Sequence, residues 1–243
     1  MWTDYNMALF NMFPMTSPWM LPTHADLDQV EKMAQDKPSG VIVTGSSAVG
    51  KTSLLFQCAV THATENQTVT FICRHPLSRL PLPVHGMPTP DPSVLQAVKF
   101  VYLSDASELI GWCANIHMTS CLPDVVIIDD IDLYASDIKK HGTEHDTATV
   151  LAMVVDAAAY IRQKNGSCSL VMSAGDGVKA VHSMGTQFHL TVNHVQASKD
   201  AAMEFMLSTP VRERGKLCVT YAMDSSVIRV RHLRLETPAG TPD

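Results

Sequence analysis

Gly45-Ser46-Ser47-Ala48-Val49-Gly50-Lys51-Thr52 has the glycine, lysine and hydroxyl spacing of a loop that wraps phosphate. Its flanks match that reading. The apolar run Val41-Ile42-Val43 leads in, and the helix formers Ser53-Leu54-Leu55-Phe56-Gln57-Cys58-Ala59 lead out. The mechanism requires this order of strand, tight loop and helix. Loop amides turn inward, and the helix N-terminus adds positive potential where phosphate sits. Gly45, Ser46, Ser47, Ala48, Val49, Gly50, Lys51, Thr52 and Ser53 therefore form the expected cradle for ATP. Lys51 is expected to reach the β- and γ-phosphates, and the Thr52 hydroxyl to ligate Mg²⁺. A chance match in a Gly-Ser turn is the alternative, and the strand and helix around the loop weigh against it.

A second stretch supports the first. Pro123-Asp124-Val125-Val126-Ile127-Ile128-Asp129-Asp130 lies more than 70 residues beyond the loop and ends an aliphatic run in two acids. It has the form of a Walker B strand. Four apolar residues in a row suit a parallel strand covered on both faces. Asp129 then emerges at the carboxyl edge of the sheet, where ligands bind in open α/β folds, and its expected role is to hold the Mg²⁺ shell. A buried strand ending in a helix-capping Asp is the plainer reading of these residues on their own.

Composition excludes several classes. The 243 residues suffice for one large α/β domain, and 46% hydrophobic against 17% charged residues makes the chain globular. Eighteen basic and 24 acidic residues give a net charge of −6, which argues against coating nucleic acid by bulk charge but permits a local basic patch. The six cysteines are scattered, without CxxC spacing, and read as reduced core residues. No apolar stretch reaches the length of a membrane span, and the N-terminal stretch, with Asp4 and no basic region, does not read as a secretory signal.

Three regions are expected. Residues 1–35 form an apolar N-terminal arm rich in Met, Phe, Trp and Pro, with a short amphipathic helix over 26–35. Pro14, Pro18 and Pro22 forbid a long helix there, and the arm packs back on the domain, docks on a partner or is disordered. Residues 36–236 form the core and 237–243 a disordered tail. Within the core, the pattern predicts helices over 51–63, 106–118 and 146–164, the last N-capped by Asp146 and stopped at Asn165-Gly166. It predicts strands over 69–73, 99–103, 169–174, 187–193, 217–223 and 227–235, with loops over 76–92, 135–145 and 175–186. Alternation slips phase between Arg229-Val230-Arg231 and Leu233-Arg234-Leu235, so a β-bulge near Arg231-His232 is expected to keep one outer face. The order is that of a mainly parallel doubly wound sheet with antiparallel strands at its end.

A phosphate loop, a Walker B strand, a helix, a strand and a C-terminal antiparallel hairpin resemble a RecA-like P-loop NTPase core. The runs Gly50-Lys51-Thr52-Ser53-Leu54-Leu55-Phe56, Phe71-Ile72-Cys73-Arg74-His75-Pro76-Leu77 and Asp91-Pro92 through Lys99-Phe100 narrow the resemblance. Together they resemble the SWIM-domain-protein-associated ATPase, a divergent RecA-like recombinase paralog and Shu complex subunit. The likeness runs from about residue 40 to about 232. It implies a nuclear subunit that pairs with a SWIM-domain zinc protein, works beside the recombinase and its paralogs in homologous recombination, binds single-stranded DNA, and hydrolyses ATP weakly.

The same resemblance exposes a gap. RecA-type enzymes carry a water-polarising Glu at the end of the strand after the phosphate-loop helix, whereas here the strand ends Cys73-Arg74-His75-Pro76. His75 falls nearest the position, and Asp130 offers a substitute base. A surface His and a capping Asp are the plainer readings. Lys51, Asp129 and Asp130 are the candidate catalytic residues, and slow turnover is expected. DNA contacts are expected from Lys139, Lys140 and His141 in one loop and Lys179 and His182 in another. The C-terminal basics Arg212, Arg214, Lys216, Arg229, Arg231 and Arg234 form a second patch. Solvated surface is the alternative for both, since neither loop has an aromatic stacking platform. The histidines show no metal-ligand spacing with cysteine, so zinc is expected only in the partner.

Overall fold

The computed structural model describes residues 8–14, 39–139, 142–176, 179–198, 203–211 and 215–236. Most of the arm, the helix expected over 26–35, Lys140, His141, Arg212, Arg214 and the 237–243 tail lie outside the described residues.

Nine strands form one sheet in the order β3-β2-β4-β5-β1-β6-β7-β8-β9. They are β1 (Gly40–Gly45), β2 (Val69–Cys73), β3 (Val98–Tyr102), β4 (Val125–Ile128), β5 (Ser169–Ala174), β6 (Leu190–Ala197), β7 (Glu204–Val211), β8 (Gly215–Met223) and β9 (Ile228–Glu236). Strands from β3 across to β6 pair in parallel, and β6 to β9 pair antiparallel. The helices are α1 (Ala8–Met12), α2 (Lys51–Thr64), α3 (Pro92–Leu95), α4 (Ala106–Ala114), α5 (Ile131–Ile138), α6 (Thr143–Asn165) and α7 (Lys179–Gln187), with a 3₁₀ turn at Ile116–Met118.

Both faces of the central sheet are covered, so its strands are buried end to end rather than alternating. Val41 and Val43 point into a core with Leu54, Leu55 and Val60 of α2, whereas Ile42 between them joins Leu109 of α4 and Val150, Leu151 and Val154 of α6 on the opposite face. The same packing explains β4, four consecutive aliphatics that are all buried. Described segment 8–14 packs back on the domain: Leu9, Met12 and Phe13 enter the α2-side core.

The expected bulge is present. Thr220 faces His232 and Tyr221 faces Val230, so Arg231 is the extra residue. Arg229, His232 and Arg234 thereby stay on one side of β9, opposite Ala222, Thr220 and Cys218.

Several expectations need correction. The 135–145 segment is mostly helical rather than a polar loop. Ile131, Tyr134 and Ala135 are buried at helical spacing and define α5, and α6 starts at Thr143. Asp146 is consequently not the N-cap. Gly142 holds that position, and the Asp146 N–H already donates to its carbonyl. The 175–186 loop shrinks because α7 occupies 179–187, burying Ala180 and Val181. The helix expected over 106–118 breaks at Ala114 into the 3₁₀ turn. β7 was not anticipated, and it turns the C-terminal hairpin into four antiparallel-paired strands. Among the described residues, no helix is long and apolar enough to cross a membrane.

Candidate nucleotide site

The loop expected from the sequence runs from a strand into a helix. β1 delivers Gly45 to the carboxyl edge of the sheet, and α2 begins at Lys51. Between them Ser46, Ser47 and Ala48 are exposed, while Val49 is anchored in the core. Two residues take left-handed backbone, Ala48 at φ 65° and Gly50 at φ 89°. At Gly50 a side chain is disfavoured by the dihedral and would have to displace the flexible Met223 side chain, whose sulfur lies 2.5 Å from where a Cβ would stand. Gly45 is closed in as well, since a Cβ there would sit 2.8 Å from the Val195 carbonyl.

Lys51 is almost fully buried. Its ammonium donates to the carbonyls of Gly45 (2.9 Å) and Ser46 (3.0 Å), within the loop it is meant to serve. Thr52 turns toward the second motif, its hydroxyl donating to Asp129 Oδ2 at 2.7 Å across 77 residues of chain. Asp129 is held from its other side by a residue the sequence reading missed. The Ser173 hydroxyl, at the end of β5, donates to Asp129 Oδ1 at 2.5 Å and accepts from the Asp130 N–H at 2.8 Å. The one available signal was a polar residue closing an otherwise apolar buried strand, Leu170-Val171-Met172-Ser173.

Asp130 starts α5 in left-handed backbone, φ 54°, and makes no side-chain cap to that helix. Burial, reinforced by the neighbouring Asp129 carboxylate, pushes its carboxyl up to about 6. Two residues on, Asp132 Oδ1 accepts from the Gly175 N–H at 2.9 Å, tying the end of β4 to the end of β5.

The end of β2 carries no carboxylate, and the side chains there are otherwise engaged. Arg74 pairs with Asp137 of α5 at 3.1 Å, donates to the Leu133 carbonyl and stacks over the Tyr134 ring. The Cys73 thiol donates to the His75 carbonyl, and burial pushes that thiol up to about 11. His75 is exposed.

The donor set suits Mg²⁺-ATP. At the start of α2 the Lys51 ammonium sits on the loop carbonyls and the Thr52 hydroxyl on the Asp129 carboxylate. Thr52 and Asp129 are the residues that would hold the cation; Lys51 and the 45–53 amides would hold the phosphates. Bound there, the cation supplies neutralisation of phosphate charge.

The proposed DNA contacts fall into two separate groups. Lys139 ends α5 and Lys179 opens α7, after β4 and β5. Arg229 and Arg231 lie on β9, five strands from β5 in the sheet order, roughly 24 Å at ordinary strand spacing. Arg229 is also paired with Asp224, whose carboxylate is held well below its usual range chiefly by hydrogen bonds from Ser226.

Comparison with known proteins bears on the architecture. The flagellar accessory protein FlaH from Methanocaldococcus jannaschii superposes with a TM-score of 0.56 at 10% identity, over 87% of this chain and 97% of that one. The chain has a RecA-like P-loop NTPase fold. Identity this low speaks to the fold alone. No family model and no curated protein matches the chain.

Proposed function

We propose that this protein is an ATP-binding, weakly hydrolysing RecA-like subunit that supports homologous recombination in the nucleus. One observation carries the nucleotide reading: the Thr52 hydroxyl and the Asp129 carboxylate meet at 2.7 Å, joining the phosphate loop to the Walker B strand as Mg²⁺ coordination requires. Lys51 binds the phosphates, and Asp130, beside Asp129, accepts the proton of the attacking water. The β2 end supports slow turnover, because Arg74 is committed to Asp137 and nothing there replaces a water-polarising carboxylate. General-base catalysis typically contributes 10²–10⁴-fold, and Asp130, acting from the end of β4 instead of β2, is expected to recover only part of it.

The finer parts of the proposal rest on the sequence resemblance: a SWIM-domain zinc protein as partner, the recombinase and its paralogs as collaborators, and single-stranded DNA as ligand. Lys139, with Lys140 next to it in sequence, and Lys179 are the preferred DNA contacts, since they come after β4, which leads into Asp129, and β5, which carries Ser173. Asp132 bonded to Gly175 gives these segments a physical link to the nucleotide site.

A second reading, a pseudo-ATPase scaffold, is favoured by the same β2 end and by the net charge of −6. ATP turnover with and without single-stranded DNA, together with partner pull-down, compared between wild type and Lys51→Ala, separates the two. DNA-stimulated turnover lost in the variant supports the first reading. Partner and DNA binding retained without any turnover in the wild type supports the second.

A further inference from the structure

Residues 8–14 reach the phosphate loop by way of Tyr221. Met12 and Phe13 are fully buried against α2. The Thr61 hydroxyl donates to the Asn11 carbonyl at 2.9 Å, and Asn11 Nδ2 lies 2.8 Å from His62 Nε2. His62 Nδ1 faces the Gln67 side-chain oxygen at 2.5 Å. An amide oxygen only accepts, so Nδ1 carries the ring proton and Nε2 accepts from Asn11. Phe13 then packs on Tyr221, ring centroids 5.5 Å apart and tilted by 42°.

Tyr221 is also fully buried, and its hydroxyl donates to the Val49 carbonyl at 2.7 Å. Val49 sits between the two left-handed residues of the loop. In a planar trans peptide the carbonyl and the following N–H point opposite ways. Fixing the Val49 carbonyl toward Tyr221 therefore aims the Gly50 N–H away from the core. A rotated 49–50 peptide would turn that donor inward and present a carbonyl to an arriving anion. Phe205 packs on the other part of the Tyr221 ring at 5.7 Å, so the phenol has aromatic rings on two sides and the loop at its tip.

We propose that Tyr221 is a positioning residue for the phosphate loop, and that the docking of residues 8–14 against it is coupled to nucleotide affinity. The inference rests on the nucleotide-binding reading above. Coupling of this kind is reciprocal: the docked arm tightens nucleotide binding, and bound nucleotide tightens the arm to the same degree.

The test uses the full chain as wild type, Tyr221→Phe and Phe13→Leu, titrated with a fluorescent ATP analogue plus Mg²⁺, with hydrogen exchange followed in peptides covering 8–14. Tyr221→Phe keeps the ring packing and is expected to bind about tenfold more weakly, equivalent to about 1.4 kcal/mol. ATP is expected to slow exchange in residues 8–14 of the wild type and not of Tyr221→Phe, a readout that a packing role alone would not move. Wild type that binds nucleotide while exchange in 8–14 stays unchanged overturns the coupling, as does a Tyr221→Phe Kd within twofold of wild type. Folded wild type with no affinity for the analogue overturns the nucleotide reading itself, and the inference with it. Should Tyr221→Phe not fold, Phe13→Leu and the wild-type exchange experiment still decide.

Discussion

Ser173→Ala removes one oxygen atom and tests how the two motifs are joined. That hydroxyl is fully buried, donates to Asp129 Oδ1 and accepts from the Asp130 N–H. The variant strands an acceptor on a buried carboxylate and a backbone donor beside it. Each unsatisfied group costs roughly 1–3 kcal/mol, so a loss of about 2–6 kcal/mol is expected. For a domain of this size that is a fall in Tm of roughly 4–24 °C. The assay is thermal unfolding of the nucleotide-free protein, followed by ATP titration with and without Mg²⁺. Because the Asp129 carboxylate then keeps, among the described residues, only its hydrogen bond from Thr52, the Mg²⁺-dependent part of the affinity is expected to weaken more than the Mg²⁺-independent part. A variant melting within about a degree of wild type, with unchanged Mg²⁺ dependence, would refute the reasoning.

Three further outcomes follow from particular residues. Gly50→Ala, forced into φ 89° against the Met223 sulfur, is expected to lose about 1–2 kcal/mol from the dihedral alone. Adding Met223→Ala should recover only the steric remainder, read by denaturant midpoints. Burial holds His62 below its usual range, so its folded form favours the neutral ring. Its contribution is complete above the unfolded value near 6.5 and fades as pH falls through the lower folded value. Exchange protection in residues 8–14 should therefore drop between pH 7.5 and pH 5, whereas protection independent of pH would contradict the assigned tautomer. If about four side chains touch phosphates, log affinity for single-stranded DNA should fall against log salt with a slope of roughly −3. Paired Lys139→Ala and Lys179→Ala changes should flatten that slope more than Arg229→Ala and Arg231→Ala; the reverse result would move the DNA to β9.

Much of the candidate site's backbone was legible because local chemistry dictates it. The 45–52 loop needs its glycines and lysine at fixed offsets, and β4 needs four aliphatics to lie between two layers. The bulge at Arg231 was readable because a single residue changes the face of every side chain beyond it. α5 escaped notice although Ile131, Tyr134 and Ala135 have helical spacing, since eight residues with two acids among them also read as a polar loop. β7 carries Pro210, which has no N–H to give a ladder, and its pairing with β8 is decided by tertiary context. α7 hid behind Gly185, whose place is set by close packing: a Cβ there would stand 2.7 Å from Val192. Ser173 on Asp129 and Tyr221 on Val49 are 44 and 172 residues apart in sequence. A lone serine in an apolar strand hints at the first, but no local pattern names either partner, because the sheet order creates the contacts.

Nucleotide-dependent thermal stabilisation tests the central claim most directly, with wild type and Lys51→Ala each referred to its own ligand-free melt. At about 100 times Kd, Mg²⁺-ATP should stabilise the wild type by about 2.7 kcal/mol. That is a rise of roughly 5–10 °C, and Lys51→Ala should lose most of it. A wild type whose melt does not move at millimolar Mg²⁺-ATP would contradict the account.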